Sequence, residues 1–248
     1  SLAAWVTCIA FMVILHFKKP FSNYRLWTNI RSFSWIYCRE QLRLGLPIFV
    51  AIFCETSLFS IVGLLMSEFG TLYIAANQAA ISYSTLVYTL PWSISLTATI
   101  VVGYEAGAKN RKGALQYDMI CSLTSLTAVC ITAFLTYTFL GDIAAIFTHD
   151  LETFRAIRNF LIFALMFSVF DALGTPVQGM LRGYKDVKVI TYVAFVTYWL
   201  IAIPLGYVLA HYTPYGPYGY WLSLVISLAI NAFALNGRLW FFTSRRPL

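Results

Sequence analysis

The stretch FLIFALMFSVFDALGTPVQGM, residues 160–180, decides how the rest of this chain is read. It is long and apolar enough to cross a bilayer, which takes about 20 residues of helix. Yet Asp171 sits near its middle. A second run, LPIFVAIFCETSLFSIVGLLM at residues 46–66, carries Glu55 in the same central position. A carboxylate at mid-bilayer depth costs about 2.5–3.5 kcal/mol on insertion scales, so it faces a protein interior or a hydrated cavity and often marks an ion or proton path. Glu55 and Asp171 are therefore the first candidates for function.

Outward from these two runs the same character persists. The chain is 60% hydrophobic and 11% charged over 248 residues, where a soluble domain is nearer 25% charged. Seven apolar segments are expected, at 2–17, 46–66, 79–102, 119–140, 160–181, 189–210 and 219–237. The chain reads as an all-α polytopic membrane protein with about seven transmembrane helices. Its net charge of +7 comes from clusters of Lys and Arg in the loops. That is the positive-inside pattern of membrane proteins and excludes a nucleic-acid stripe. Of five cysteines, Cys8, Cys54, Cys121 and Cys130 lie in apolar runs and Cys38 in a basic loop, with no CxxC spacing. They read as packed small apolar side chains rather than a disulfide or metal framework.

The loops alternate in charge. Lys18, Lys19, Arg25, Arg31, Arg39 and Arg43 follow the first segment, and only Glu68 follows the second. Lys109, Arg111 and Lys112 follow the third, and Asp142, Asp150 and Glu152 the fourth. Arg182, Lys185 and Lys188 follow the fifth, the sixth loop HYTPYGPYG has no Lys or Arg, and Arg238, Arg245 and Arg246 close the chain. Basic loops stay in the cytoplasm, which expects a cytoplasmic C-terminus and an outside start. Arg155 and Arg158, at the outer end of segment five, depart from the pattern. The first run is short for a span and resembles the tail of a helix, so the chain is expected to be a fragment of a longer protein. Residues 1–45 read as that helix end plus a basic connector, whose WIYCREQLRLGLP suggests an amphipathic interfacial piece. Residues 46–248 read as a six-helix bundle. Tyr212, Tyr215, Tyr218, Tyr220 and Trp221 suit an aromatic belt at the outer interface.

Polar residues inside the spans form patterns. Ser168, Asp171, Thr175, Gln178 and Arg182 follow steps of three, four, three and four, which puts them on one helical face. Such a face either packs through interhelical hydrogen bonds or lines a hydrated cleft, and the cleft is the preferred reading, with Arg182 at the membrane edge. Pro176 adds to it by freeing a backbone carbonyl close to Asp171. Gln78, Ser82, Thr85 and Tyr88 share a face of segment three, where cleft lining and plain interhelical bonding are equally served. Glu55 has only Thr56 and Ser57 beside it, so it needs a partner from another helix, a bound cation or a proton. Pro91, Pro176 and Pro204 should kink or locally open their spans. GYEAG at 103–107 and GMLRG at 179–183 are small-xxx-small pairs that serve close helix packing. His16, His149 and His211 lie near segment ends and read as outside the transport path.

Taken together, LGLPIFVAIFCETSLF with its mid-helix Glu, ANQAAISYSTLVYTLPWSISLTATIVVGYEAG, FDALGTPVQGMLRGYKD and the later Pro204-Leu-Gly resemble the MATE family, the multidrug and toxic compound extrusion transporters, and within it the NorM-like branch. The resemblance covers nearly the whole chain, from the end of the family's sixth helix through its twelfth. It implies a twelve-helix fold of two six-helix bundles around a cleft, with this chain supplying the carboxy-terminal bundle and lacking the amino-terminal lobe. It implies efflux of cationic or amphipathic small molecules in exchange for Na⁺ or H⁺, with no enzyme activity and no cofactor. The family's carboxylates match Glu55 and Asp171, which would bind the coupling ion, Na⁺ included. Its eighth-helix positions look like Gln78, Ser82 and Tyr88, and a Tyr ring suits cation contact. Thr175 and Gln178 join the substrate cleft. Some relatives carry Tyr where this chain has Phe167, which leaves Na⁺ against H⁺ open.

These readings imply an integral membrane antiporter of the bacterial inner membrane. Coupling would arise because ion and substrate favour different arrangements of the two bundles. The alternatives are a lipid-linked oligosaccharide flippase, which should have more basic residues in its cleft, and a seven-helix receptor, which fits the topology but lacks a Schiff-base Lys in segment seven. An intramembrane aspartyl protease would need a GxGD motif, and the sequence has none.

Overall fold

The computed structural model describes residues 2–17 and 34–245. Lys18, Lys19, Arg25, Arg31 and Arg246 lie outside the described residues. The chain divides into two units, Ser1–Leu42 and Arg43–Leu248. The first contains α1, Leu2–Phe17, an apolar helix of 16 residues. At about 1.5 Å per residue it is shorter than the hydrocarbon core is thick.

The second unit is built of helices joined by short turns, and its first helix begins in the first unit. Helix α2 (Trp35–Leu65) runs into a 3₁₀ turn, Met66–Phe69, followed by α3 (Thr71–Gly107), α4 (Arg111–Thr138), α5 (Leu140–Phe147) and α6 (Leu151–Gly183). Then come α7 (Val187–Ala194), a π-helical segment Phe195–Ala202, α8 (Ile203–His211) and α9 (Tyr218–Arg245). Among the described residues six helices are long and apolar enough to cross a membrane, with α7 to α8 counted as one. Leu86, Ile100, Phe134 and Phe233 stand exposed on their outer faces, as lipid contact requires.

Several elements extend beyond the expected apolar runs, because helix ends are set by caps and not by hydropathy. Asp150 Oδ2 accepts from the Thr153 backbone N–H at 2.9 Å, so α6 starts at Leu151, nine residues before its apolar run. Asn110 Oδ1 caps α4 the same way through Gly113 at 3.2 Å. The piece WIYCREQLRLGLP is no separate interfacial element: it forms the first turns of α2, with Pro47 inside the helix. Helix α5 falls where only a loop was expected.

The core sits where α6 and α9 meet their neighbours. Trp221 and Phe160 are fully buried, and Trp221 Nε1 donates to Asn77 Oδ1 at 2.9 Å. Helices α3 and α6 form the most extensive pair, and the two GxxxG pairs explain how closely they approach. A Cβ at Gly179 would come within 3 Å of the Ser95 carbonyl, and one at Gly183 would stand 2.9 Å from the Gly103 nitrogen. Thr99 Oγ1 bridges the pair by donating to the Gly179 carbonyl at 3.0 Å. Both helices end alike, as GxxxG-x-Lys-Asn/Asp, with Lys109 at φ 57° and Lys185 at φ 60° reversing the chain. The Asn110 and Asp186 amides reach back to carbonyls five residues earlier, at 2.9 and 2.8 Å.

The prolines behave differently from one another. Pro91 and Pro176 sit inside continuous helices, whereas Pro204 follows the π-helical segment. Pro176 does leave the Ala172 carbonyl without its helical donor. Ser125 Oγ of α4 fills that place at 3.0 Å, so the freed carbonyl becomes a helix–helix bond and not a ligand.

Candidate functional site

The close α3–α6 packing sets two polar helix faces opposite each other, and α2 adds Glu55 to them. Glu55, Thr56, Phe59, Ile81, Ser84, Thr85, Tyr88 and Phe167 line an open cavity of about 290 Å³. Glu55 is half-buried at its wall. Asp171 is only 4% exposed and accepts from Thr175 Oγ1 at 2.7 Å. Glu55 and Tyr88 lie within electrostatic reach of Asp171, Arg182 and the hydroxyl of Tyr198, and Tyr198 also reaches Asp171. Two carboxylates from antiparallel spans meet because each is central in its own helix.

The sequence-predicted residues fall into three groups. Glu55, Asp171 and Tyr88 come together. Thr175 and Gln178 stand on the Asp171 face, with Thr175 bound to Asp171 and Gln178 Oε1 accepting from Arg182 Nη2 at 3.3 Å. Gln78 and Ser82 are exposed and lie outside the cavity lining, with Ser82 Oγ donating to the Gln78 carbonyl at 2.8 Å. Arg182 departs from its expected place at the membrane edge. Its guanidinium lies over the Trp92 ring, 5.7 Å from the centroid, and reaches the Glu55 field. A helical side chain leans toward the N-terminus, which carries this one back toward Asp171.

Three residues escaped the sequence reading. Tyr198 is 3% exposed and belongs to the same electrostatic cluster. It sits in the π-helical segment, whose register no 3.6-residue periodicity reveals. Ser84 Oγ, on the cavity wall, is buried without a partner. Asp118 of α4 is 7% exposed, and its Oδ2 accepts from Tyr184 Oη at 2.8 Å while Oδ1 has no partner. Burial pushes the Tyr184 phenol above its ordinary range, which keeps it a donor. Its signal was a lone Asp near the start of an apolar run.

Oxygen donors dominate the site: two carboxylates with hydroxyls of Tyr88, Thr175 and Ser84. Such a set suits hard cations and organic cations more than soft metals. Among the described residues no three His, Cys, Asp or Glu gather into a metal-holding group. Phe167 closes the cavity with an apolar ring, edge-on to Phe59 at 5.8 Å.

Six apolar helices long enough to span, with carboxylates buried among them, define an integral membrane protein. The MatE family model matches residues 47–208, and the chain belongs to that family. It is 43% identical over 239 residues to the probable multidrug resistance protein NorM of Bacillus subtilis (strain 168), covering 96% of this chain and 53% of that protein. Against the protein of the same name in Oceanobacillus iheyensis identity is 39%, over 99% of this chain and 55% of the relative. The chain thus spans about half the length of the curated relatives it matches. Its fold matches the crystal structure of the eukaryotic MATE transporter AtDTX14 with a TM-score of 0.89, at 20% identity, over 96% of this chain and 53% of the other. A mutant of the Vibrio cholerae MATE transporter VcmN gives 0.81 at 17% identity, over 96% and 56%. Membership leaves the flippase and receptor alternatives without support.

Proposed function

We propose that this chain is the carboxy-terminal lobe of a multidrug efflux antiporter. It exports cationic or amphipathic organic compounds in exchange for Na⁺ or H⁺, is not an enzyme and needs no cofactor. The observation that carries this reading is the presence of Glu55 and Tyr88 on one cavity wall, with the buried Asp171 within electrostatic reach of both. A cavity of about 290 Å³ approaches the lower end of small-ligand pockets, roughly 300 Å³. Residues 46–248 form the lobe, and residues 1–45 supply the end of a preceding transmembrane helix and a cytoplasmic basic connector. The other partner is an amino-terminal lobe, which would complete the cleft. The protein sits in the bacterial inner membrane with its C-terminus in the cytoplasm.

Glu55 and Asp171 hold the coupling ion, and Tyr88 presents a hydroxyl and a ring face to a cation. Gln78, Ser82, Thr175 and Gln178 extend the polar surface for substrate. Ion and substrate share one region of negative charge. Each therefore biases the two lobes toward a different arrangement, and exchange follows from that differential affinity. The test is dye efflux by the complete transporter in everted vesicles, with Na⁺ and pH gradients imposed separately. Glu55→Gln and Asp171→Asn should each abolish ion-driven efflux while leaving membrane insertion intact. Efflux retained in both variants overturns the reading.

A further inference from the structure

Arg182 is a cation placed inside a site that is expected to bind cations. Two contacts hold it there, one of them backed by a further ring. Nη2 donates to Gln178 Oε1 at 3.3 Å, the guanidinium lies 5.7 Å from the Trp92 ring centroid, and Trp92 in turn packs on Tyr88 with ring centroids 5.7 Å apart. Nε is buried with no hydrogen-bond partner, and among the described residues no carboxylate comes within ion-pair distance of the group. An Arg serving only the helix end would turn to the carbonyls of its last turn. This one is stacked on α3 and stays within the field of Glu55 and Tyr88. Its charge is permanent, because a guanidinium does not lose its proton in proteins.

We propose that Arg182 is the resident countercharge of the cleft and a specificity-determining residue for cation binding. Its guanidinium offsets the charge of Glu55 and Asp171 while the site is vacant of external cation. An incoming organic cation meets the repulsion of Arg182 as well as the attraction of the carboxylates. The like charge therefore sets a ceiling on cation affinity, favours release after transport and leaves uncharged amphipathic compounds unaffected. Because the group stands off from both carboxylates, it tunes the site without closing it. This inference rests on the cation-site reading of Glu55 and Asp171 given above.

The test uses the complete transporter, purified, with tetraphenylphosphonium as a monovalent cationic probe and an uncharged amphipathic dye as its control. Removing one unit charge within electrostatic reach, in Arg182→Gln, should tighten tetraphenylphosphonium binding about ten-fold. Binding of the uncharged dye should not move, and tetraphenylphosphonium efflux should slow as release becomes limiting. Arg182→Lys, which keeps the charge, should bind like the wild type. In a Glu55→Gln background the effect of Arg182→Gln should shrink, because the opposing charge is gone. A merely structural Arg would weaken both probes together. Unchanged or weaker tetraphenylphosphonium binding in Arg182→Gln, alongside weaker binding in Glu55→Gln, overturns the countercharge and leaves the cation site standing. Binding unchanged in Glu55→Gln and Asp171→Asn overturns the cation site itself. Should Arg182→Gln not fold, Arg182→Met keeps the length and the apolar stem without the charge and should tighten the cationic probe alone. No such tightening overturns the proposal.

Discussion

Asp171 and Asp118 are both buried carboxylates in spanning helices, each holding one hydroxyl donor at 2.7 or 2.8 Å. Asp171 lies within electrostatic reach of Glu55 and Tyr88, which line an open cavity. Asp118 is bonded to Tyr184, whose ring packs at a tilt against Phe242 with centroids 5.1 Å apart, near the point where Arg111 Nη2 donates to the Thr243 carbonyl at 2.5 Å. One carboxylate lies among other polar and charged groups beside a cavity; the other knits α4 to the C-terminal ends of α6 and α9. Burial alone does not mark a transport residue. The company of a second acid and a cavity does.

The largest effect that could break this contrast is on transport. Asp171→Asn should lower ion-driven efflux by about 100-fold or more, as loss of a group required in the coupled state does. Asp118→Asn should keep most of the efflux and lose stability by about 1–3 kcal/mol, because a buried polar network loses a partner. Vesicle efflux and thermal unfolding of the same preparations check both. Equal loss of efflux in the two variants would erase the distinction.

Next in size is the packing that brings the Asp171 face to α3. Gly179→Val places side-chain atoms on the Ser95 carbonyl. It should cost about 1–3 kcal/mol or more through overpacking and separate the two polar faces. The melting temperature should fall, and cation binding should weaken with it. Ser125→Ala is a smaller change. It leaves the Ala172 carbonyl without a donor and should cost about 0.6–2 kcal/mol in the membrane, read by thermal unfolding.

The smallest effect concerns the α6 cap. Hydrogen bonds from the Thr153 backbone and side chain hold the Asp150 carboxyl below its ordinary range. A depressed folded-state value means that the cap's contribution is present at neutral pH and is lost as acid protonates the group. Amide exchange at residues 151–154 should quicken on acidification in the wild type. Asp150→Asn, which caps without titrating, should abolish that pH dependence.

Much of the architecture was legible in the chain. Hydropathy alone finds the spans, since lipid demands about 20 apolar residues whatever the packing. The step pattern at Asp171, Thr175, Gln178 and Arg182 was also readable, because a helix repeats every 3.6 residues. Both GxxxG pairs pointed to close packing, and Gly179 and Gly183 sit in it. Helix ends were less legible: Asp150 and Asn110 move them by capping, which apolar counting ignores. Tyr198 was hidden by the π-helical segment, and Ser84 by having no periodic polar neighbours. Arg182 was misplaced because its Cα is at the helix end while its long side chain runs back toward the cleft.

A span announces itself through local composition, because burying apolar surface in lipid is a property of each segment separately. The apolar spans and the two acids at their centres are therefore properties of this chain read as a line. Which acid gains company is not, because it depends on how closely two helices approach. The glycines at the α3–α6 contact, the widened turn before Pro204 and the stacking of Arg182 on Trp92 settle that in three dimensions. They turn Asp171 toward Glu55 and fold Asp118 into the packing, a choice that no single segment contains.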